Sequence, residues 1–299
     1  MGLKIQFLNG GLGNQAFQYI FYRWLQLERP NDDVCMDDSY FAINSVHNGY
    51  ELERVFGVKP QMISEFFEPD IWEQILDDKR NGRSIPQLFL DMNEGMSLVR
   101  EVSNSAEFNP FNGQIVSAKA ANKYYPELAT FEGNWYYHGY WINKGYFDKY
   151  KDILSKELTF PMITDFKNKK YEDKILSTNS CAVHIRRGDF VNLNWTLSPE
   201  TYKSRIEKVL EAASNVTFFV FSDDLNWCKE HAEELGLNLT SRVIYVEGNS
   251  GLDSFRDLQL MSLCKWIFVS NSSFDFLAYI LAKNLEYSVT VWLPPGREI

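Results

Sequence analysis

From residue 181 onward, short apolar runs alternate with amphipathic segments, and this alternation constrains the fold more than any other feature of the chain. Short apolar runs bounded by polar or glycine-containing segments are typical of buried strands. Strands that alternate with helices predict β-α-β crossovers and a Rossmann-like parallel sheet. The predicted strands cover 181–185, 216–221, 243–246, 266–269 and 289–293, and the predicted helices cover 199–213, 226–235, 254–264 and 274–283.

The first 160 residues or so follow a less regular pattern. The segment 50–130 contains helical pieces between loops rich in Asn, Gly and Ser, but the order of its elements is not evident. The polar stretch 164–174 predicts a boundary between an N-terminal domain, 1–165, and a C-terminal domain, 175–299. The other elements predicted in this half are strands at 4–8, 34–36 and 135–141 and helices at 14–28, 70–78 and 146–158.

Charge and composition narrow the possible functions. The chain of 299 residues carries a net charge of −10, so it lacks the basic surface of a general nucleic-acid-binding protein. No apolar run is long enough to predict a membrane span, and no signal peptide is evident. The four cysteines show no C-x-x-C spacing and the four histidines no paired ligand spacing. We therefore expect a cytoplasmic protein without a metal site.

The most informative motif is His184-Ile185-Arg186-Arg187-Gly188-Asp189, at the end of the predicted strand 181–185. Ligands of open α/β sheets bind outside the carboxyl ends of the strands. Two adjacent arginines at such an end suit a phosphate-bearing ligand, because each guanidinium offers a rigid fork of donors. In an acidic chain, this pair indicates a small anionic ligand rather than a polyanion.

Two further polar clusters follow predicted strands: Ser222-Asp223-Asp224, and Ser270 to Phe274. If the three strands are neighbours, all three clusters lie along one edge of the sheet. Ser272 and Ser273 would then cap a helix whose N-terminal amides can bind phosphate. Asp223 or Asp224 would accept hydrogen bonds from a guanine edge. Taken singly, each cluster is better explained as an ordinary helix cap, and only the three together favour a ligand site.

A glycine turn follows the first predicted strand, where Gly11-x-Gly13-x-x-Ala16 fits a relaxed dinucleotide fingerprint. Asp37 lies 21 residues beyond Ala16, which suits a ribose-binding acid. These residues keep open an NAD(P)-dependent oxidoreductase, although that function leaves the arginine pair unexplained. A tight turn that approaches a sugar nucleotide or an acceptor is equally consistent with them.

The D-x-D signature of metal-dependent sugar-nucleotide transferases is missing, since no two aspartates are separated by one residue. A diphosphate leaving group would therefore be neutralised by arginine rather than by a metal ion.

Together these motifs resemble the α-1,2-fucosyltransferases, bacterial members in particular. Family members usually continue the last motif with a serine and tryptophans, whereas this chain has Asp275-Phe276-Leu277. That departure adds a carboxylate and concerns the acceptor preference. The matching segments, spread over residues 5 to about 282, are 10–15, 139–141 with 146–147, 184–190, 222–224 and 270–274.

The resemblance implies an α/β fold of the B type, with two Rossmann-like domains facing a cleft. The C-terminal domain would bind the donor GDP-β-L-fucose, and the N-terminal domain would bind an oligosaccharide ending in galactose. The implied reaction is an inverting transfer to the galactose 2-hydroxyl, without metal or other cofactor, in the synthesis of cell-surface glycans. Contact with a membrane surface is left open.

The resemblance also implies roles for individual residues. Arg186, the expected phosphate ligand, or Arg187 would stabilise charge on the departing β-phosphate, and Arg187 would alternatively be held by an acid. Asp189 is the candidate base, with the orientation of Arg187 or His184 as its rival role. The remaining substrate-binding candidates are His184 for guanine or ribose, Asp223 and Asp224, Ser272 and Ser273 for the α-phosphate, Phe274 beside the nucleotide, and Gly11, Gly13 and Asn14 in the glycine turn.

Two alternatives accompany the oxidoreductase. One is another sugar-nucleotide glycosyltransferase on the same fold, with a different nucleotide or a different acceptor hydroxyl. The other is a non-catalytic sugar-binding protein, since aromatic residues make up 15% of the chain and can stack on sugar rings.

Overall fold

The computed structural model describes residues 2–101, 111–291 and 293–294. The chain divides into two compact units, the first ending at Thr159 and the second beginning at Phe160. The predicted boundary at 164–174 is therefore misplaced by several residues. Most of that stretch belongs to a helix, Phe166–Leu176, whose N-cap Asp165 accepts a 2.8 Å hydrogen bond from the Asn168 amide. Its polar residues mark an exposed helix surface rather than a linker.

The first unit contains a parallel sheet. Within the described residues its strands are β1 (Leu3–Phe7), β2 (Asp33–Asp37), β3 (Ser97–Glu101), β4 (Ile115–Ala118) and β5 (Trp135–His138). They pair in the order β2-β1-β5-β3-β4. The sequence pattern predicted β1, β2 and β5 but missed β3 and β4, which lie in the irregular segment.

The helices of the first unit surround this sheet. The predicted helix at 146–158 is two short helices, because Lys149 and Tyr150 interrupt it. The helices described in this unit are α1 (Leu12–Glu28), α2 (Ser39–Ile43), α3 (Leu52–Phe56), α4 (Pro69–Arg80), α5 (Ile85–Asp91), α6 (Lys144–Asp148) and α7 (Lys151–Glu157).

The second unit follows the predicted alternation closely. Its strands, within the described residues, are β6 (Asn179–Ile185), β7 (Val216–Ser222), β8 (Val243–Tyr245), β9 (Trp266–Val269) and β10 (Tyr287–Thr290), paired in parallel in the order β10-β9-β6-β7-β8. Each predicted strand and helix of this half is present. The described helices are α8 (Phe166–Leu176), α9 (Gly188–Asn192), α10 (Pro199–Ala212), α11 (Leu225–Glu230), α12 (Phe255–Met261) and α13 (Ser273–Leu281).

Each sheet has a point at which the strand order reverses direction. In the second unit, β7 and β8 lie on one side of β6 while β9 and β10 lie on the other, so the reversal falls between β6 and β9. In the first unit it falls between β1 and β5. Ligands of doubly wound sheets bind outside the carboxyl ends of the strands at such points.

No helix in the described ranges is long and apolar enough to cross a membrane.

Candidate active site

Arg186 lies just beyond β6, between two carboxylates. Its Nη2 donates to Asp189 Oδ1 at 2.7 Å, and its Nη1 lies 2.6 Å from Asp223 Oδ2. Asp189 belongs to α9 and Asp223 follows β7, so two separate elements fix the plane of the guanidinium. The side chain keeps 31% of its surface exposed. Arg186 is thus a positioned, accessible cation at the carboxyl edge of the sheet.

Arg187 is held differently from its neighbour. Its guanidinium carbon lies 3.6 Å from the centroid of the Trp227 ring, and its Nε donates to Asp224 Oδ2 at 3.3 Å. A guanidinium stacked on an indole and paired with a carboxylate is stabilised in place. The geometry therefore favours the predicted alternative for Arg187, retention by an acid, over direct contact with phosphate.

The two acids after β7 both engage the arginine pair. Asp223 Oδ1 also accepts the Arg187 backbone amide at 2.9 Å, while Asp224 Oδ1 caps α11 by accepting the Trp227 amide at 3.1 Å. These contacts differ from the predicted role toward a guanine edge. Asp189 also differs from its predicted orienting role, because its partner is Arg186 rather than Arg187 or His184.

Gly188 permits this arrangement. A Cβ at that position would lie 2.5 Å from Asp223 Oδ2, closer than real side chains approach. Any larger residue would displace the carboxylate that clamps Arg186.

His184, the second-last residue of β6, is buried and paired with Asp275. Its Nδ1 lies 3.1 Å from Asp275 Oδ2, and the fully buried Asp275 carboxylate also accepts the Ser270 amide at 3.0 Å and its hydroxyl at 2.5 Å. Because a carboxylate accepts, Nδ1 carries the proton, and Nε2 of a neutral ring is an acceptor. The carboxylate that this chain adds to the family motif therefore holds the His184 ring.

The cluster after β9 opens α13. Ser272 is its N-cap and accepts the Phe274 amide at 3.1 Å, and Ser273 is the first helical residue. The Phe274 ring lies 5.5 Å from the His184 ring. Since β9 and β6 are adjacent in the sheet, the helix N-terminus and the arginine motif share the edge at which the strand order reverses. The predicted common edge for the three clusters is confirmed.

Asp257 is a candidate site residue that the sequence interpretation did not name. It lies in the first turn of α12, where its Oδ1 accepts from Asn249 Nδ2 at 2.7 Å. Burial raises the pKa of Asp257 to about 7, and the hydrogen bond from Asn249 opposes that rise. A partly exposed carboxylate with a raised pKa is a candidate for ligand recognition. The only sequence signal was an acid in the first turn of a predicted helix.

The predicted glycine-turn residues lie in the first unit. Gly10 adopts φ +78°, a backbone conformation suited to glycine. Gln15 donates from Nε2 to the Gly10 carbonyl at 2.9 Å and the Gly49 carbonyl at 2.8 Å. The turn is thus tied to the following loop. Gly11, Gly13 and Asn14 begin α1, Gly11 as the N-cap.

Asp37 argues against the dinucleotide function. It is fully buried, and its carboxylate accepts the Tyr136 hydroxyl at 2.5 Å and the Ser39 amide at 2.9 Å. An acid engaged in this way inside the core does not present its oxygens to a ribose. The fingerprint therefore lacks its ribose-binding residue.

The carboxyl end of β5 is built around Glu101. One oxygen of Glu101 accepts the amides of Tyr140 at 2.8 Å and Trp141 at 3.0 Å, and the other accepts the Asn122 amide at 2.8 Å. Trp141 is fully buried at φ +53°, a conformation that is unusual for a bulky residue and persists only when its surroundings fix it. Tyr140, 38% exposed, receives a 3.4 Å hydrogen bond from Asn9.

A parallel α/β fold in two units, with an arginine pair where the strand order reverses, is compatible with a nucleotide-sugar glycosyltransferase. Residues 122–292 match the model of glycosyl transferase family 11, and the chain belongs to that family. The predicted family resemblance and the α/β fold class are confirmed.

Named relatives agree with this assignment. An α-1,2-colitosyltransferase of Escherichia coli is 27% identical, over 100% of this chain and 93% of its own. The O-antigen biosynthesis glycosyltransferase WbnK of Escherichia coli is 23% identical, over 90% and 87% respectively. The structure of the NodZ α-1,6-fucosyltransferase soaked with GDP-fucose aligns with a TM-score of 0.50 and 15% identity, covering 94% of this chain and 92% of that chain.

Proposed function

We propose that this protein transfers L-fucose from GDP-β-L-fucose to the 2-hydroxyl of a terminal galactose, with inversion at the sugar. The observation that carries the proposal is Arg186, clamped by Asp189 and Asp223 beside the point where the strand order reverses. Membership of glycosyl transferase family 11 supports glycosyl transfer. The α-1,2 linkage in the name of one relative supports the regiochemistry, and the GDP-fucose soaked into NodZ supports the donor.

In this mechanism Arg186 is the principal catalytic residue. Inversion requires one in-line displacement, in which the C1–O bond of the donor breaks as the acceptor oxygen attacks and GDP departs. Arg186 binds the β-phosphate and stabilises the negative charge that develops on it. Arg187 keeps the neighbouring carboxylates in place through Asp224 and the Asp223 contact. With an arginine in this role, the reaction needs no metal ion.

Asp189 is the proposed base. Its carboxylate keeps 46% of its surface exposed and sits 2.7 Å from the cation that binds the leaving group. For the in-line displacement this carboxylate meets the galactose 2-hydroxyl on the face of the transferred sugar opposite the departing GDP, where it accepts the proton as the C1–O bond of the donor breaks.

The guanosine half of the donor is assigned to Asp257 and His184. Ionised Asp257 accepts from guanine N1–H and the 2-amino group, which are donors that adenine does not present in this pattern. His184, held through Nδ1 by Asp275, offers Nε2 to a ribose hydroxyl. Ser272, Ser273 and the N-terminus of α13 bind the α-phosphate, with Phe274 packed beside the nucleotide.

The acceptor is assigned to the first unit, at the carboxyl ends of β1 and β5, between which the strand order reverses. Asn9, Asn14 and Tyr140 present amide and phenol groups there, which suit the hydroxyls of an uncharged sugar. Gly11 and Gly13 allow the backbone of the turn to approach it.

Transfer of colitose is a second candidate, favoured by the name of the α-1,2-colitosyltransferase relative. The same arginine and nucleotide contacts serve either sugar. Only the pocket around the transferred ring distinguishes the two.

The experiment is to incubate purified protein with lactose and an equal mixture of GDP-fucose and GDP-colitose in EDTA, then to read the product by mass and NMR. A fucosyl-α-1,2-galactose product supports the proposal. A colitosyl product supports the second candidate. Release of GDP without transfer of a sugar to lactose contradicts the proposed acceptor. Failure of the protein to bind GDP contradicts the proposed donor.

A further inference from the structure

A short segment after the arginine motif exposes large apolar side chains to solvent. Val191, Leu193 and Trp195 are 45%, 47% and 57% exposed. Single exposed apolar residues are common, but a tryptophan with most of its surface in water is not. Together the three residues form an apolar patch that the proposed roles of the arginine motif do not explain.

The exposed tryptophan is held by two parts of the site. The Trp195 carbonyl accepts from Asn271 Nδ2 at 2.7 Å, which ties it to the cluster after β9. Its amide donates to the Phe190 carbonyl at 2.9 Å. The rings of Trp195 and Phe190 meet edge to face at 5.6 Å. An exposed indole fixed in this way offers a preformed surface rather than a mobile side chain.

Phe190 also connects this indole to the reacting centre. The Arg186 guanidinium carbon lies 5.8 Å from the Phe190 ring centroid, so the order along the edge is Arg186, Phe190, Trp195. Asn194, at φ +54°, turns the chain so that Trp195 returns toward Phe190. Trp195 therefore lies one aromatic ring away from the cation assigned to the leaving group.

A flat apolar ring beside a phosphate-binding cation suits the carbon-bearing face of a sugar. Pyranose rings present C–H groups on one face that pack on aromatic rings, while their hydroxyls remain available to polar groups. A lipid surface fits less well, because the two arginines that precede this segment are engaged by the carboxylates of Asp189, Asp223 and Asp224, whereas cations that flank membrane-bound patches contact the lipid headgroups.

We propose that Trp195 is the stacking platform for a pyranose ring of the reacting pair, either the transferred sugar or the acceptor galactose. This inference rests on the proposed function, since it takes the sugars from that reaction. It assigns sugar recognition to a residue outside the motifs that bind the nucleotide.

The test uses Trp195→Ala in the full chain, with Trp195→Phe as aromatic rescue and Leu193→Ala as a matched control from the same segment. We expect Trp195→Ala to bind GDP as the wild type does. Loss of stacking should weaken sugar-dependent steps about three- to tenfold. If GDP-fucose binds more tightly than GDP by a smaller factor in Trp195→Ala than in the wild type, the Trp195 ring stacks on the donor sugar. If instead the KM for lactose rises in Trp195→Ala, the ring stacks on the acceptor. Trp195→Phe should recover most of either effect.

Any one of three results would overturn the inference. The first is that Trp195→Ala changes neither the gain in affinity from GDP to GDP-fucose nor the KM for lactose. The second is that it weakens the binding of GDP and of GDP-fucose equally, and the third is that Leu193→Ala has the same effect as Trp195→Ala. Loss of binding to phosphatidylglycerol vesicles without any sugar effect would assign the patch to a lipid surface instead. If the wild-type protein neither binds GDP nor transfers a sugar, the proposed function itself fails and this inference fails with it. Normal wild-type transfer with an unaffected Trp195→Ala rejects the inference alone.

Discussion

The two sheets place different chemistry at their carboxyl edges. In the second unit the edge carries Arg186 and Arg187 with three clamping carboxylates, contributed by Asp189, Asp223 and Asp224. In the first unit the residues facing the corresponding point are amides and a phenol, such as Asn9 and Tyr140 with its 3.4 Å hydrogen bond. Both sheets are parallel and both reverse their strand order at this edge.

Under the proposed function, this difference lets one architecture serve two kinds of ligand. A diphosphate needs fixed positive charge, and fixed charge needs counter-charges to hold it in place. An uncharged sugar needs donors and acceptors without net charge. The carboxylate of Glu101 in the first unit is consumed by three backbone amides, so it shapes the edge rather than charging it.

The largest expected effect comes from Arg186→Lys in the charged edge. A lysine keeps the charge but cannot span Asp189 and Asp223 with a planar fork. We expect kcat to fall about 10²–10³-fold, by analogy with loss of one transition-state donor, with unchanged circular dichroism. Steady-state kinetics checks this. Arg242→Lys, an exposed arginine bonded to the Ser214 carbonyl, is the control, and near wild-type turnover in Arg186→Lys would refute the role.

The next effect concerns Asp257. Asp257→Asn should weaken GDP about 10- to 100-fold, because a charged hydrogen-bond partner of guanine is lost. Since the pKa of Asp257 is raised to about 7, the unbound carboxyl takes up a proton as pH falls through 7. Binding must then release that proton, so wild-type affinity should fall by up to about tenfold per pH unit below 7.

Calorimetry from pH 6 to 8 checks this pH dependence. The phosphate of GDP also titrates near pH 6, but Asp257→Asn retains that titration and should lose the component due to Asp257. Equal pH slopes in the two proteins would exclude Asp257 from guanine recognition.

A smaller effect is expected in the uncharged edge. Glu101→Gln removes the charge that holds the amides of Tyr140 and Trp141, so the strained Trp141 turn should loosen. We expect KM for lactose to rise about tenfold and the free energy of unfolding to fall by about 1–3 kcal/mol, with GDP affinity unchanged. Glu132→Gln, whose side chain is 74% exposed, is the control. A loss of GDP affinity equal to the loss of lactose affinity would contradict the division between the two edges.

The smallest expected effect is that of EDTA. Because Arg186 supplies the positive charge for the leaving group, chelation should leave the rate unchanged. Rates measured with EDTA and after addition of Mn²⁺ check this. Inhibition by EDTA that Mn²⁺ reverses would assign the leaving group to a metal ion.

The sequence predicted the second unit well because its signals are local. Each motif directly follows an apolar strand, and parallel pairing brings strand ends together, as it does for His184 and Ser270. The strands β3 and β4 were missed because they lie in the irregular segment, where no regular alternation with helices marks them. Strands of the same length, such as β2 and β5, were predicted, so length alone does not decide whether a strand is recognised.

Partners within the site were harder to predict than its position. The sequence could not assign Asp223 to Arg186 or Asp275 to His184, because those pairs join residues 37 and 91 positions apart. Asp257 was missed because a single acid on a helix is ordinary until burial and a neighbouring histidine are known. Distances between side chains decide such roles, and they follow from packing rather than from spacing.

Hydrogen exchange of the whole chain, with GDP alone and with lactose alone, tests the contrast between the two edges most directly. We predict that GDP slows exchange in peptides covering 181–195 and 254–275, and that lactose slows it in peptides covering 9–18 and 136–143. Protection of 9–18 by GDP, with 181–195 unchanged, would contradict the assignment of the nucleotide to the charged edge.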